Sequence, residues 1–185
     1  MVYILLGAGF ETTEALTAAD VLRRAKLPVS LAGIGGDTVT SSHNVTVRAD
    51  LPVEEVTLEA GDMVVLPGGL GGVAAIEGSG AAMALIRQAA GDDKLWLAAI
   101  CAAPTLLARA GLLTPGVRCV CYPGMEGALS DAGAVPMMDQ SVVVEGKLIT
   151  GRGPGSAFDF ALALMETLAD AGTAAQTRAA LHYRT

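Results

Sequence analysis

The chain has 185 residues, the length of one compact domain, and 52% of them are hydrophobic, which supplies a core and excludes a disordered, solvating chain. Lys and Arg number 12 against 19 Asp and Glu, a formal charge of −7, so the basic footprint of a nucleic-acid binder or of a protein held to anionic membranes is missing. The longest nearly apolar stretch, 95–108, is too short to span a bilayer and contains Pro104.

Short apolar runs alternate with helical patterns. MVYILL (1–6) predicts a buried strand. No basic region precedes it and Glu11 and Glu14 follow, which argues against a secretory signal. A helix is expected over about 12–25, then a strand over 28–34. Segments 37–49 and 52–57 read as hairpin or edge pieces around a Gly35-Gly36-Asp37 turn. DMVVLPGG (62–69) is a strand ending in a glycine loop. Residues 81–90 form a helix, 95–100 a buried strand, 103–110 a short helix and 117–121 another strand. SVVVEGKLIT (141–150) reads as a hairpin around Glu145-Gly146. The last strong helix, about 156–170, places Phe158, Ala161, Leu162, Met165, Leu168 and Ala169 at helical spacing. A weaker Ala-rich helix closes the chain. No repeat or linker interrupts what reads as a single domain over 1–185.

Such alternation predicts an α/β sandwich, a mostly parallel sheet with helices on both faces. Ligands then sit outside the carboxyl ends of the strands. Three loops leave such ends: 7–13, 67–72 and 101–104.

In the third loop a hydrophobic strand runs into Cys101, and a helix opens just after it. Pro104 suits a first helical turn. Ala99 and Ala103 give the cysteine small flanks at the spacing of a nucleophile elbow. Backbone N–H groups at a helix start stabilise a thiolate, so the sequence predicts an ionisable thiol. The plainer alternative is a buried core cysteine behaving as a small hydrophobe. Cys119 and Cys121 are two apart in an expected strand and share a face. With no second ligand pair at zinc-like spacing, they read as structural. Three cysteines, an odd and small number, point to a reducing cytoplasm rather than a disulfide framework.

On the first helix, Thr13, Thr17, Asp20 and Arg24 form a polar stripe, whereas Glu14 shares its stripe with Ala18, Val21 and Ala25. Glu14 therefore points toward the packed side, where desolvation raises a carboxyl pKa and the helix dipole opposes that. The alternative is a glutamate that merely complements the dipole. Glu11, in the loop, reads as more exposed. Pro67-Gly68-Gly69 could bring backbone N–H groups to a developing anion, with the Ala102 amide as their partner across the site, or could be a plain turn. Gly7-x-Gly9 lacks the third glycine of a dinucleotide fingerprint, and no phosphate loop is present. Gly151-Arg152-Gly153-Pro154-Gly155 could bind an anion at the start of the last long helix, and the plainer reading is a rigid turn. His43 and His182 are isolated, and surface positions suit both.

The stretches TTEALTAADVLRRA (12–25), MVVLPGGLGG (63–72), AAICAAPTLLARAGLL (98–113) and KLITGRGPGSAFDFALAL (147–164) resemble, in this order and at these distances, the DJ-1/PfpI/ThiJ superfamily, closest to its DJ-1-like branch. The resemblance implies a flavodoxin-like three-layer sandwich and a homodimer. It implies that Cys101 is the family's reactive, oxidation-sensitive cysteine and Glu14 the acid that hydrogen-bonds its sulfur. It further implies a cofactor-independent, metal-free glyoxalase or deglycase acting on small reactive carbonyls, methylglyoxal to lactate. The site would be Cys101 and Glu14 with Gly68, Gly69 and Ala102 around the oxyanion. The alternative is a non-enzymatic, redox-sensing, stress-protective or chaperone-like protein using the same thiol. One position departs: many family members have a histidine before the proline that follows the strand at 117–121, and here it is Tyr122 before Pro123. Glu14 is then left with the proton transfers.

Overall fold

The computed structural model describes residues 1–183. In chain order the elements are β1 (Val2–Leu6), α1 (Thr12–Arg24), β2 (Val29–Gly33), β3 (Thr38–Thr40), β4 (Thr46–Arg48), β5 (Leu51–Pro52), β6 (Met63–Leu66), α2 (Leu70–Gly78), α3 (Gly80–Gly91) and β7 (Trp96–Ile100). There follow α4 (Ala103–Arg109), β8 (Arg118–Cys119), α5 (Glu126–Asp131), β9 (Val135–Pro136), β10 (Val142–Glu145), β11 (Leu148–Gly151), α6 (Ala157–Leu168) and α7 (Ala171–Ala180). Among the described residues the main sheet runs β10-β11-β7-β6-β1-β2-β5. Every neighbouring pair is parallel except the β10–β11 hairpin.

Strand side chains alternate between two cores, as a period of two requires. Ile4 and Leu6 of β1 pack with Leu22 of α1 and Phe160 and Leu164 of α6. Leu5, Val64 and Leu66 pack on the other side with Ile76 of α2, Ile86 of α3 and Leu106 of α4. Central strands buried on both faces read as continuous apolar runs, which is why MVYILL and LWLAAI were legible without alternation. The expected α/β sandwich is the observed one.

Three local expectations are corrected. Residues 117–121 do not form a full strand: only Arg118–Cys119 does, in a separate parallel pair with β9. Beyond it, the Val120 N–H donates to Thr150 Oγ1 at 3.0 Å and the Tyr122 N–H to the Cys101 carbonyl at 2.9 Å. The segment thus crosses the end of the main sheet instead of joining it. Helix α2 was not anticipated, because LGGVAAIEG has no polar stripe and two adjacent glycines. Those glycines let it lie against the β1–α1 loop, since a Cβ at Gly72 would stand 2.6 Å from the Phe10 Cα. In α6 the buried face is centred on Phe160, Ala161 and Leu164, while Phe158 is turned outward and stacks on Tyr183 at 5.5 Å.

β7, β6 and β1 are consecutive in the sheet. The three loops singled out from the sequence therefore leave adjacent strand ends.

Candidate active site

Cys101 follows directly on β7. Its φ is +66°, in the left-handed region that a side chain other than glycine's enters at a cost of about 1–3 kcal/mol. Two hydrogen bonds hold it there: its N–H donates to the Gly151 carbonyl, and its carbonyl accepts from the Tyr122 N–H, both at 2.9 Å. The strained turn lifts the sulfur off the strand toward the loops of β6 and β1.

Glu14, in the first turn of α1, is 1% exposed. Glu11 caps that helix, its Oε2 accepting the Glu14 N–H at 2.8 Å. Glu11 is therefore buried, and the expectation of an exposed loop residue is corrected: the cap draws its carboxylate inward. Glu14 Oε2 accepts the Gly68 N–H at 2.7 Å, and its Oε1 has no regular hydrogen-bond partner. Gly68 is where the two side chains meet. A Cβ there would lie 2.6 Å from the Cys101 Cβ, 2.7 Å from Glu14 Oε2 and 3.0 Å from Cys101 Sγ. Only glycine leaves that space free for acid and thiol to approach each other.

Burial pushes the Glu14 carboxyl up to about 7, against the lowering effect of its bonds to Gly68 and Cys101. Burial first, and then the neighbouring Glu14 charge, push the Cys101 thiol up to about 12, although the Ala102 and Gly69 N–H groups aimed at the sulfur pull it down. The expectation of a thiol made ionisable by the helix start is thus corrected. The amides are in place, but α4 is short and desolvation outweighs them.

The other expected site residues fall as follows. Gly69 and Ala102 direct N–H groups at the sulfur, whereas the N–H of Gly68 is committed to Glu14 and orients the acid. Above the sulfur opens a cavity of about 480 Å3, whose walls include Leu70, Tyr122, Pro123 and Met125. On its hairpin side stand Glu11, Ser42 and His43. His43 had no signal in the sequence. It arrives because the β3–β4 hairpin is tied to the β1–α1 loop: the Gly9 N–H donates to Thr40 O at 2.8 Å and the Ser42 N–H to Phe10 O at 2.9 Å. Thr12 Oγ1 also donates to Ser41 Oγ at 2.7 Å. Arg152 lines a neighbouring cleft of about 320 Å3 that shares Tyr122 and Pro123 with the first. His182 lines a separate cleft with Arg178 and Tyr183. Cys119 and Cys121 are fully buried in the opposite core. Among the described residues no group of three or more His, Cys, Asp or Glu could hold a metal ion, and no helix is long and apolar enough to cross a membrane.

This strained cysteine directly after β7, facing a buried glutamate across a glycine, sits in a chain with known relatives. The family model for "DJ-1/PfpI family" matches residues 1–167. The chain belongs to the DJ-1/PfpI family. Protein dj-1beta of Drosophila melanogaster is 42% identical over 167 residues, 90% of this chain and 88% of that protein. The crystal structure of Drosophila melanogaster DJ-1beta superposes with a TM-score of 0.91 at 39% identity, covering 100% of this chain and 98% of that one. A Caenorhabditis elegans protein named glutathione-independent glyoxalase DJR-1.2 is 30% identical over 158 residues, 85% of this chain and 82% of that protein. The DJ-1/PfpI fold accounts for the parallel sheet, and one relative carries a glyoxalase name.

Proposed function

We propose that this DJ-1/PfpI protein converts small 2-oxoaldehydes such as methylglyoxal to 2-hydroxy acids without glutathione, with Cys101 as nucleophile and Glu14 as acid and base. The observation that carries the proposal is the meeting of Cys101 Sγ and Glu14 Oε2 over a glycine that admits no side chain. A carboxyl near 7 is poised to accept and return protons at neutral pH.

Cys101 attacks the aldehyde carbon as Glu14 takes the thiol proton, so a free thiolate need not accumulate. The hemithioacetal oxygen lies within reach of the Gly69 and Ala102 N–H groups. Protonated Glu14 first gives its proton to that oxygen. It then removes the C1 hydrogen to give an enediolate and returns that proton to C2. The C1 hydroxyl proton passes to the C2 oxygen, and the product is a 2-hydroxyacyl thioester on Cys101. Water hydrolyses it to lactate and regenerates the thiol. The net change is addition of one water, with the aldehyde oxidised and the ketone reduced inside one molecule. No step needs a metal or an organic cofactor. Deglycase-type hydrolysis of early glycation adducts would use the same thiol and acid. A homodimer in a reducing cytoplasm completes the reading.

The test is lactate release from methylglyoxal with no glutathione added. Wild type should turn over, Cys101→Ser should not, and Glu14→Gln should lose about 10²–10⁴ in kcat. Equal rates for all three would remove the mechanism.

A second reading has its own support in the two N–H groups aimed at the sulfur, which suit the oxygens of a sulfinate, with protonated Glu14 as a third donor. Mild peroxide followed by peptide mapping should then add two oxygens at Cys101 alone. That result without any carbonyl turnover favours a redox sensor, and oxidation spread over all three cysteines disfavours it.

A further inference from the structure

We propose that the Cys101 cavity selects 2-oxoaldehydes bearing a bulky apolar substituent, aryl or branched alkyl, over methylglyoxal itself. The inference rests on the carbonyl chemistry proposed above and adds the substrate class.

Two observations carry it. The first is size. The cavity measures about 480 Å3, inside the range of about 300–1,000 Å3 that encloses drug-sized ligands. A three-carbon dicarbonyl held at Cys101 would leave most of it to water. The second is the chemistry of the walls. The polar groups that the reaction uses, the sulfur and the Gly69 and Ala102 amides, are gathered at one spot. Of the other walls, Glu11, Ser42 and His43 are polar, and Leu70, Pro123, Met125 and the Tyr122 ring form an apolar side. Leu70 is 73% exposed and Tyr122 48% exposed. A leucine that open adds little to the fold, and a large apolar side chain at the rim of a concave site is placed to cover a ligand.

Both side chains are held in register with the nucleophile. Leu70 directly follows Gly69, so one turn sets both an N–H donor at the sulfur and the leucine beside it. Tyr122 is tied through its own N–H to the Cys101 carbonyl. A phenyl or branched chain on the ketone carbon would meet these walls while the aldehyde carbon stays at Sγ. The overall conversion is unchanged: phenylglyoxal plus water gives mandelate, the aldehyde being oxidised and the ketone reduced.

The experiment compares kcat/KM for phenylglyoxal and methylglyoxal in wild type, Leu70→Ser and Met125→Ala. Wild type should favour phenylglyoxal by about tenfold or more, and both variants should bring the ratio toward one. A second arm needs no turnover: mandelate should protect Cys101 from alkylation at far lower concentration than lactate does, and Leu70→Ser should erase the difference. Equal kcat/KM together with equal protection overturns the inference and leaves the carbonyl chemistry standing. No turnover of either aldehyde, with selective protection by mandelate, overturns the chemistry and supports the apolar class. A change of oligomeric state in Leu70→Ser on size-exclusion chromatography, with the ratio unmoved, makes Leu70 a subunit contact and overturns the inference.

Discussion

Three thiols lie in the interior of this protein, and two kinds of surroundings separate them. Cys119 and Cys121 are enclosed in the core formed by α2, α3 and α4, and burial is the first cause that pushes both up to about 11. Cys101 belongs to the other core and is raised as far, to about 12. Acidity therefore does not distinguish the candidate nucleophile. What distinguishes it is a titrating acid across Gly68, two amides on the sulfur, a strained backbone and an open cavity above. A buried thiol becomes usable when the proton it must lose has somewhere to go, and in this site that place is Glu14.

The comparison breaks first at Glu14. Its folded pKa, about 7, lies above the ordinary value of 4.5, so the native state binds more protons than the unfolded state between those values. Stability is then lost as pH rises through that window, by about 3 kcal/mol once it is crossed. Urea unfolding of wild type and Glu14→Gln at about pH 4 and about pH 8 should show wild type losing ground to the variant at the higher pH. A difference independent of pH would mean that Glu14 titrates as an ordinary surface acid.

Gly68 offers the next break. Gly68→Ala must displace the Cys101 side chain or the Glu14 carboxylate, a cost of about 1–3 kcal/mol, and should reduce turnover along with stability. Gly127→Ala in α5, where a Cβ meets nothing within 4 Å, should instead stabilise by about 0.5–1 kcal/mol. Thermal melts of the two variants suffice, and opposite signs are required. The smallest effect sharpens the contrast among the thiols. The Glu14 charge raises Cys101, so Glu14→Gln should move its alkylation profile to lower pH even as turnover falls. Glu126→Gln should do the same for Cys121 to a smaller extent, because the charge there is secondary to burial.

Local pattern made much of this visible beforehand. Glu14 was legible because three of the four residues on its stripe are apolar, and all four proved buried. Asp20 and Arg24, on the polar stripe, pair at 2.7 Å in the open. Cys101 was legible from the strand before it and the small residues around it. His43 and Leu70 were not, since the first rides on a hairpin docked through backbone bonds, and the second opens a helix with no amphipathic stripe. The direction of the Cys101 shift was misjudged because a sequence displays the dipoles of the next helix but not how much water a site excludes.

Chain order and hydrophobic period by themselves determined the alternating elements, the parallel sheet and the loops at its carboxyl edge, because strands and helices each write a local repeat into the residues that form them. Tertiary structure alone decided that β7, β6 and β1 stand side by side, that Gly68 lies between acid and sulfur, and that a hairpin and a helix start complete the cavity. Those are contacts between residues distant along the chain, and their energies depend on distance and excluded solvent, which exist only once the sheet has closed.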